Sequence, residues 1–222
     1  MRIALLGGTG DIGEGLALRW AYDTDHEVLI GSRDPEKARA KAEEYETELD
    51  SRGLDRAVKG FDNEMAADRA DIVVLAVPAY HVGDVVEGVA DVVDEDTILV
   101  SPAVGMSRDD DGMHYNPPGV GSITELVQRR APEDVRVVGA FHNLAADRLA
   151  NLDVEFDLDT LVVGDDEDAR DLVADLGAEI EGLRVLDAGP AANAAEVESV
   201  TPLVINIAMN NDGMHDVGVR YL

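Results

Sequence analysis

Residues 2–13 read Arg2-Ile3-Ala4-Leu5-Leu6-Gly7-Gly8-Thr9-Gly10-Asp11-Ile12-Gly13, an apolar strand running straight into a glycine-rich turn. In a βαβ unit such glycines make a tight turn and let backbone N–H groups approach a pyrophosphate at a helix N-terminus. Gly8, Gly10 and Gly13 have the G-x-G-x-x-G spacing, and the segment from Asp11 to about Tyr22 is the helix that the motif should open. This context predicts dinucleotide binding rather than a purely structural turn.

A second apolar segment ends in Ile30-Gly31-Ser32-Arg33. Sites specific for NAD carry an acid about 20 residues past the glycines for the ribose 2′-hydroxyl, and none stands here. A carboxylate would repel a 2′-phosphate, whereas the Ser32 hydroxyl and the Arg33 guanidinium would hold one. Asp34 and Pro35 have the pattern of an N-cap and first helical residue, which puts Lys37 in a first turn facing the same pocket. NADP is the cofactor expected; the alternative is that Arg33 and Lys37 are solvated surface charges.

The 222 residues suffice for a sizeable core. Asp and Glu number 47 against 18 Lys and Arg, a net charge of −29, and the only lysines are Lys37, Lys41 and Lys59. The acids are spread along the whole chain, as on a uniformly solvated surface that stays soluble in concentrated salt. A halophilic, cytoplasmic protein is therefore expected, with neither nucleic acid nor membrane as a partner. Absence of cysteine excludes disulfides and thiolate chemistry. The glycines follow the first strand too soon for a signal peptide, and no apolar run has spanning length.

Strands are expected at 2–7, 27–31, 57–60, 71–77, 97–101 and 135–140, mostly separated by helical patterns. This is the α/β pattern of a Rossmann-type, doubly wound parallel sheet. Residues 1–150 form the expected NADP-binding domain, and 151–222 a smaller C-terminal α/β part. That part has strands at 160–163 and 183–187, a helix at 166–176, and a long, largely apolar segment from Ala191 to Met209. The Gly- and Pro-rich connection Ala103–Gly121 reads as a long loop, either a lid over the cofactor or a passive surface segment.

Acid–base machinery is sparse. No Tyr-x-x-x-Lys pair occurs, and the five histidines lack close metal-ligand spacing, so no zinc site is expected. His81, shortly after Pro78 at the end of the fourth expected strand, and His142, after the sixth, lie where this fold places ligands. Each can face a nicotinamide or merely close a βα turn. Hydride transfer between two ring systems needs no strong base, because proximity and stacking carry it.

The glycine motif, Gly31-Ser32-Arg33, His142, Ala150-Asn151-Leu152-Asp153, Leu186-Asp187-Ala188-Gly189-Pro190 and Glu198-Ser199-Val200-Thr201-Pro202-Leu203 together resemble the F420-dependent NADP reductase family. The two C-terminal segments are the specific part. The resemblance implies reversible hydride transfer between NADP(H) and coenzyme F420, an 8-hydroxy-5-deazaflavin. It implies that Thr9, Gly10, Asp11 and Ile12 hold the pyrophosphate, that Ser32, Arg33 and Lys37 hold the 2′-phosphate, and that Pro78, Ala79, Gly83 and Ala146 line the adenosine and nicotinamide path. His142, Ser199 and Thr201 match family positions around the deazaflavin, although the two hydroxyls could instead bond within their own helix. Ala195 stands where family members can carry an arginine.

Two other readings of the residues stay open: an NADPH-dependent reductase of a flavin, ferric chelate or imine, and a non-catalytic NADP sensor. The apolar Val200–Met209 stretch suggests a homodimer contact.

Overall fold

Strict alternation sorts the first strand between two cores. Ile3 and Leu5 of β1 (Arg2–Leu6) enter one apolar cluster, while Ala4 and Leu6 enter another on the opposite face of the sheet. A strand buried on both faces must be covered on both, which requires crossover helices. The computed structural model describes residues 1–222. Its first half runs α1 (Asp11–Asp23), β2 (Glu27–Ser32), α2 (Pro35–Ser51), β3 (Val58–Asp62), α3 (Asn63–Ala67), β4 (Ile72–Leu75), α4 (Ala79–Val89) and β5 (Ile98–Ser101). A hairpin of β6 (Met106–Asp109) and β7 (Gly112–Tyr115) follows, then α5 (Ile123–Arg130), β8 (Arg136–Ala140), α6 (Ala146–Ala150), β9 (Leu158–Gly164), α7 (Glu167–Ala178), β10 (Leu183–Asp187) and α8 (Ala194–Met209).

The main sheet has eight strands in the order β10-β9-β8-β5-β4-β1-β2-β3. All neighbours are parallel except β8 and β9, which are antiparallel with Ala140 opposite Val162. The fold is thus the doubly wound α/β sheet that the sequence pattern predicts, and β9 and β10 of the C-terminal part extend that same sheet. β1 lies between β4 and β2, so the crossovers leave its carboxyl end in opposite directions. Ligands bind at such a switch point.

Expected and observed strands agree to within a few residues at either end. The segment 103–121 differs, because it contains a β-hairpin rather than an irregular loop. Each strand has four residues, and all of β6 is exposed, so no apolar alternation marks it. Its anchors are tertiary. The Asn206 side chain on α8 accepts from the Met113 N–H at 2.8 Å and donates to the Met113 carbonyl at 2.7 Å.

Arg19, in α1 and only 3% exposed, fastens the N-terminal half to the start of the C-terminal part. Its guanidinium donates to the carbonyls of Leu149 and Val154, both at 2.9 Å, and of Arg148 and Asn151. It also sits 4.3 Å from the centre of the Phe156 ring. Burial pulls its pKa below the usual arginine value and the Asp23 carboxylate opposes the fall, while the carbonyls and the ring give the buried guanidinium its partners. Arg19→Met should lower the unfolding free energy by about 2–4 kcal/mol, because it leaves several acceptors unpaired. Urea unfolding measures this, and a change within about 0.5 kcal/mol would show that water replaces the guanidinium without cost.

Candidate functional site

The carboxyl ends of β1, β2 and β4 open onto a cleft of about 770 Å³. Gly7, which follows β1, has φ +85°, and a Cβ there would lie 2.4 Å from the Ala76 carbonyl oxygen. Gly13 packs the first turn of α1 onto this loop, since its Cβ would fall 2.7 Å from both Gly7 O and Gly8 Cα. Gly8 is buried. These three glycines are required by the fold itself. Gly10 differs: a Cβ would meet only Gly7 O at 3.4 Å, an ordinary contact, and what it would occupy is the cleft. Gly10 is also the N-cap of α1 and brings no side-chain cap, so the helix presents uncapped N–H groups. Asp11 is exposed and Ile12 half-buried in that first turn.

Ser32, Arg33 and Lys37 line the same cleft, as do Thr9, Pro78 and His81. Asp34 lines the cleft too, but its carboxylate is engaged elsewhere. Its carboxylate caps α2, accepting from Glu36 N–H at 3.0 Å and Lys37 N–H at 3.3 Å. Lys41 and Lys59 are both ion-paired, to Glu14 and Glu44 and to Glu27 respectively. Arg33 and Lys37 form no ion pair with any carboxylate, although carboxylates outnumber cations throughout this chain. Two free cations beside a hydroxyl and an uncapped helix end suit a phosphate-bearing anion.

Other expected residues lie elsewhere. Ala79 and Gly83 face a separate hollow of about 420 Å³ between α4, α5 and the base of the hairpin. Ala146 begins α6, and its carbonyl is 3.1 Å from where a Gly15 Cβ would stand, so it belongs to the α1–α6 contact. The cleft also includes Asn63, whose Oδ1 is buried without a partner, and Asp62, Glu64 and Asp84. Gly7 stands in the glycine motif but outside its G-x-G-x-x-G spacing, and Asn63 belongs to no sequence motif. Gly7 had a signal in the doubled glycine, and Asn63 had none.

A second group gathers at the carboxyl end of β8. His142 is 5% exposed, and neither ring nitrogen has a partner. Burial lowers its pKa to about 3, so the imidazole is neutral at physiological pH. The Thr201 hydroxyl on α8 donates to the His142 carbonyl at 2.8 Å, a contact between elements rather than within the helix. The Ser199 hydroxyl donates to Glu196 O at 2.8 Å inside its own helix, the local bond typical of serine there. The structure therefore joins Thr201 to His142 and leaves Ser199 half-buried nearby on α8.

Residues 2–105 match the family model for coenzyme F420-dependent NADP oxidoreductases. The F420-dependent NADP reductase of Methanocaldococcus jannaschii is 36% identical over 93% of this chain and 92% of its own. That of Methanothermobacter thermautotrophicus is 38% identical over 99% and 94%. The chain belongs to the F420-dependent NADP reductase family. A crystal structure from Arthrobacter sp. FB24, assigned as an F420-dependent NADP-reductase, superposes with a TM-score of 0.76 at 27% identity, covering 93% of each chain. A pyrroline-5-carboxylate reductase from Coxiella burnetii shares the fold, with a TM-score of 0.58 at 17% identity, over 93% of this chain and 67% of its own. Within the family reading, the position of interest before the Glu-Ser segment is Ala195, half-buried in the first turn of α8.

The depressed pKa of His142 has a signed consequence. Between the ordinary value of 6.5 and about 3, the unfolded chain binds a proton that the folded chain refuses, so stability present above pH 6.5 is lost as pH falls through that window. His142→Leu lacks this linkage. The unfolding free energy of the wild type minus that of the variant should fall from pH 6.5 towards pH 3 in urea titrations, and a flat difference would mean that the ring is solvated.

Proposed function

We propose that this protein transfers a hydride reversibly between NADP(H) and coenzyme F420, as an NADPH:F420 oxidoreductase. Membership of the F420-dependent NADP reductase family over nearly the whole chain carries the reading. The unpaired cations of the cleft support its NADP half. Thr9, Gly10, Asp11 and Ile12 hold the pyrophosphate at the start of α1, and Ser32, Arg33 and Lys37 hold the 2′-phosphate. Residues 1–150 act as the NADP domain, and 151–222 contribute to the deazaflavin site.

When both cofactors are bound, nicotinamide C4 and deazaflavin C5 exchange the hydride, and reduction of the deazaflavin also takes up one proton. The chain's own task is orientation. His142 is neutral and serves as a hydrogen-bonding group rather than as a net proton donor, with Ser199 and Thr201 beside it on α8. Pro78 borders the cleft, whereas Ala79, Gly83 and Ala146 lie outside it and take no part in this reading.

The same reading includes a halophilic, cytoplasmic protein, supported by the charge of −29. No helix is long and apolar enough to cross a membrane. A homodimer contact through α8 is part of it, since Leu203, Ile207 and Met209 are exposed there.

Mixing the protein with F420 and NADPH should bleach the deazaflavin absorption band, and no bleaching across pH and salt would sink the assignment. Arg33→Ala should weaken NADP binding by roughly ten- to a hundredfold while changing NAD binding little, consistent with a lost charge-assisted contact to the 2′-phosphate. Equal losses for the two nucleotides, measured by titration, would remove Arg33 from that role.

A further inference from the structure

Glu198 is fully buried on α8, one residue before Ser199 and three before Thr201. One carboxylate oxygen accepts from the Ile123 N–H and the Tyr115 hydroxyl, each at 3.0 Å. The other accepts from the Thr124 N–H at 2.9 Å and the Thr124 hydroxyl at 3.1 Å. The carboxylate therefore caps the start of α5 from another helix and holds the end of the hairpin as well. No cation is among the groups that act on it; burial raises its pKa and the four hydrogen bonds oppose the rise. Glu125 and Glu196 are the other carboxylates felt by the Tyr115 hydroxyl.

Pro202 explains why α8 needs such an anchor. It has no N–H for the Glu198 carbonyl four residues earlier, so the backbone ladder lacks a bond across the turn that carries Ser199 and Thr201. Tertiary contacts bracket the weakened stretch: Glu198 before it, Thr201 on the His142 carbonyl within it, and Asn206 on the hairpin after it.

We infer that Glu198 is a positioning residue for the hydride acceptor: by pinning α8 to α5 and the hairpin, it sets the Thr201–His142 contact and keeps the His142 ring closed to water. Its kinetic consequence rests on the F420 reading above; its structural consequence does not. The buried ring of His142 has no polar partner of its own, and the contact by which α8 reaches this residue is the Thr201 hydroxyl on its carbonyl, so the α8 anchor is the link through which Glu198 acts on it.

The test compares wild type, Glu198→Ala and Tyr115→Phe, the last removing one anchor with little risk to folding. NMR follows the His142 ring signals, assigned by difference against His142→Gln. In the wild type they should stay unchanged between about pH 5 and 8, whereas in Glu198→Ala they should titrate towards the ordinary value near 6.5. The KM for F420 should rise about tenfold in Glu198→Ala while that for NADPH stays within about twofold, the pattern of a lost acceptor-side contact. Tyr115→Phe should move both readouts the same way by less, and it decides the matter if Glu198→Ala does not fold. A silent His142 in the folded variants, or KM values for both cofactors rising together, would overturn the inference. Should the wild type fail to reduce F420, the proposed function falls, and the His142 titration alone decides whether Glu198 positions this site.

Discussion

The cleft exists because Gly7 fits where no side chain can. Its N–H bonds the Gly31 carbonyl at 2.9 Å, and the space a Cβ would need is taken by the Ala76 carbonyl, so the turn after β1 is wedged between the ends of β2 and β4. A left-handed residue in that wedge reverses the chain within a few atoms of the sheet. Helix α1 consequently starts directly over the switch point, and Gly10 leaves its first N–H groups without a side-chain cap. The anion-binding character of the site thus follows from a steric requirement at Gly7 and an omission at Gly10.

Charge decides what that helix end can hold. In a chain of −29, an anionic ligand approaches against the long-range field, so binding depends on contacts at a few ångströms. The cleft itself carries Asp34, Asp62, Glu64 and Asp84 as well as Arg33 and Lys37. Salt screens the distant carboxylates strongly, since the Debye length is about 8 Å at 0.15 M and shorter above it, but weakens direct contacts less. Two cations kept free of carboxylate partners therefore count for more here than their number suggests. Asp34 also lines the cleft, and its carboxylate accepts its hydrogen bonds from the first turn of α2 and forms no ion pair with Arg33 or Lys37.

The Rossmann half was legible because its signals are local. Glycine spacing, apolar runs and the Ser32-Arg33 strand end all lie within a few residues of one another, and the structure places Thr9, Gly10, Ser32, Arg33, Lys37 and Pro78 around one cleft. What sequence could not show depends on distant partners. The hairpin at 106–115 is held by Asn206, more than 90 residues away, and the buried role of Glu198 is set by an α5 some 75 residues earlier. Ala79 and Gly83 lie close to Pro78 in sequence, yet the turn of α4 carries them towards α5 and out of the cleft. Helical phase relative to a neighbour is not a local property, and a single sequence does not contain it.

The site at β8 is rigid for a reason that spans three consecutive residues. Phe141 has φ +66°, a conformation that costs on the order of 1–3 kcal/mol for a bulky residue. It is held by burial against Trp20, with ring centroids 5.5 Å apart and nearly perpendicular. Asn143 is tied to β9, donating to the Asp159 carbonyl at 2.8 Å and accepting from the Thr160 hydroxyl at 2.9 Å. Between them, the carbonyl of His142 is bonded by Thr201. The chain is thus fixed from the α1 side, from the antiparallel strand and from α8, which holds the backbone that carries the buried imidazole. The antiparallel direction of β9 matters here, because it brings the start of that strand, Asp159 and Thr160, alongside the end of β8. A parallel neighbour would present its own carboxyl end at that place. Hydride exchange between two rings asks for orientation more than for proton transfer, and a strained, triply anchored segment carrying a neutral histidine meets that requirement.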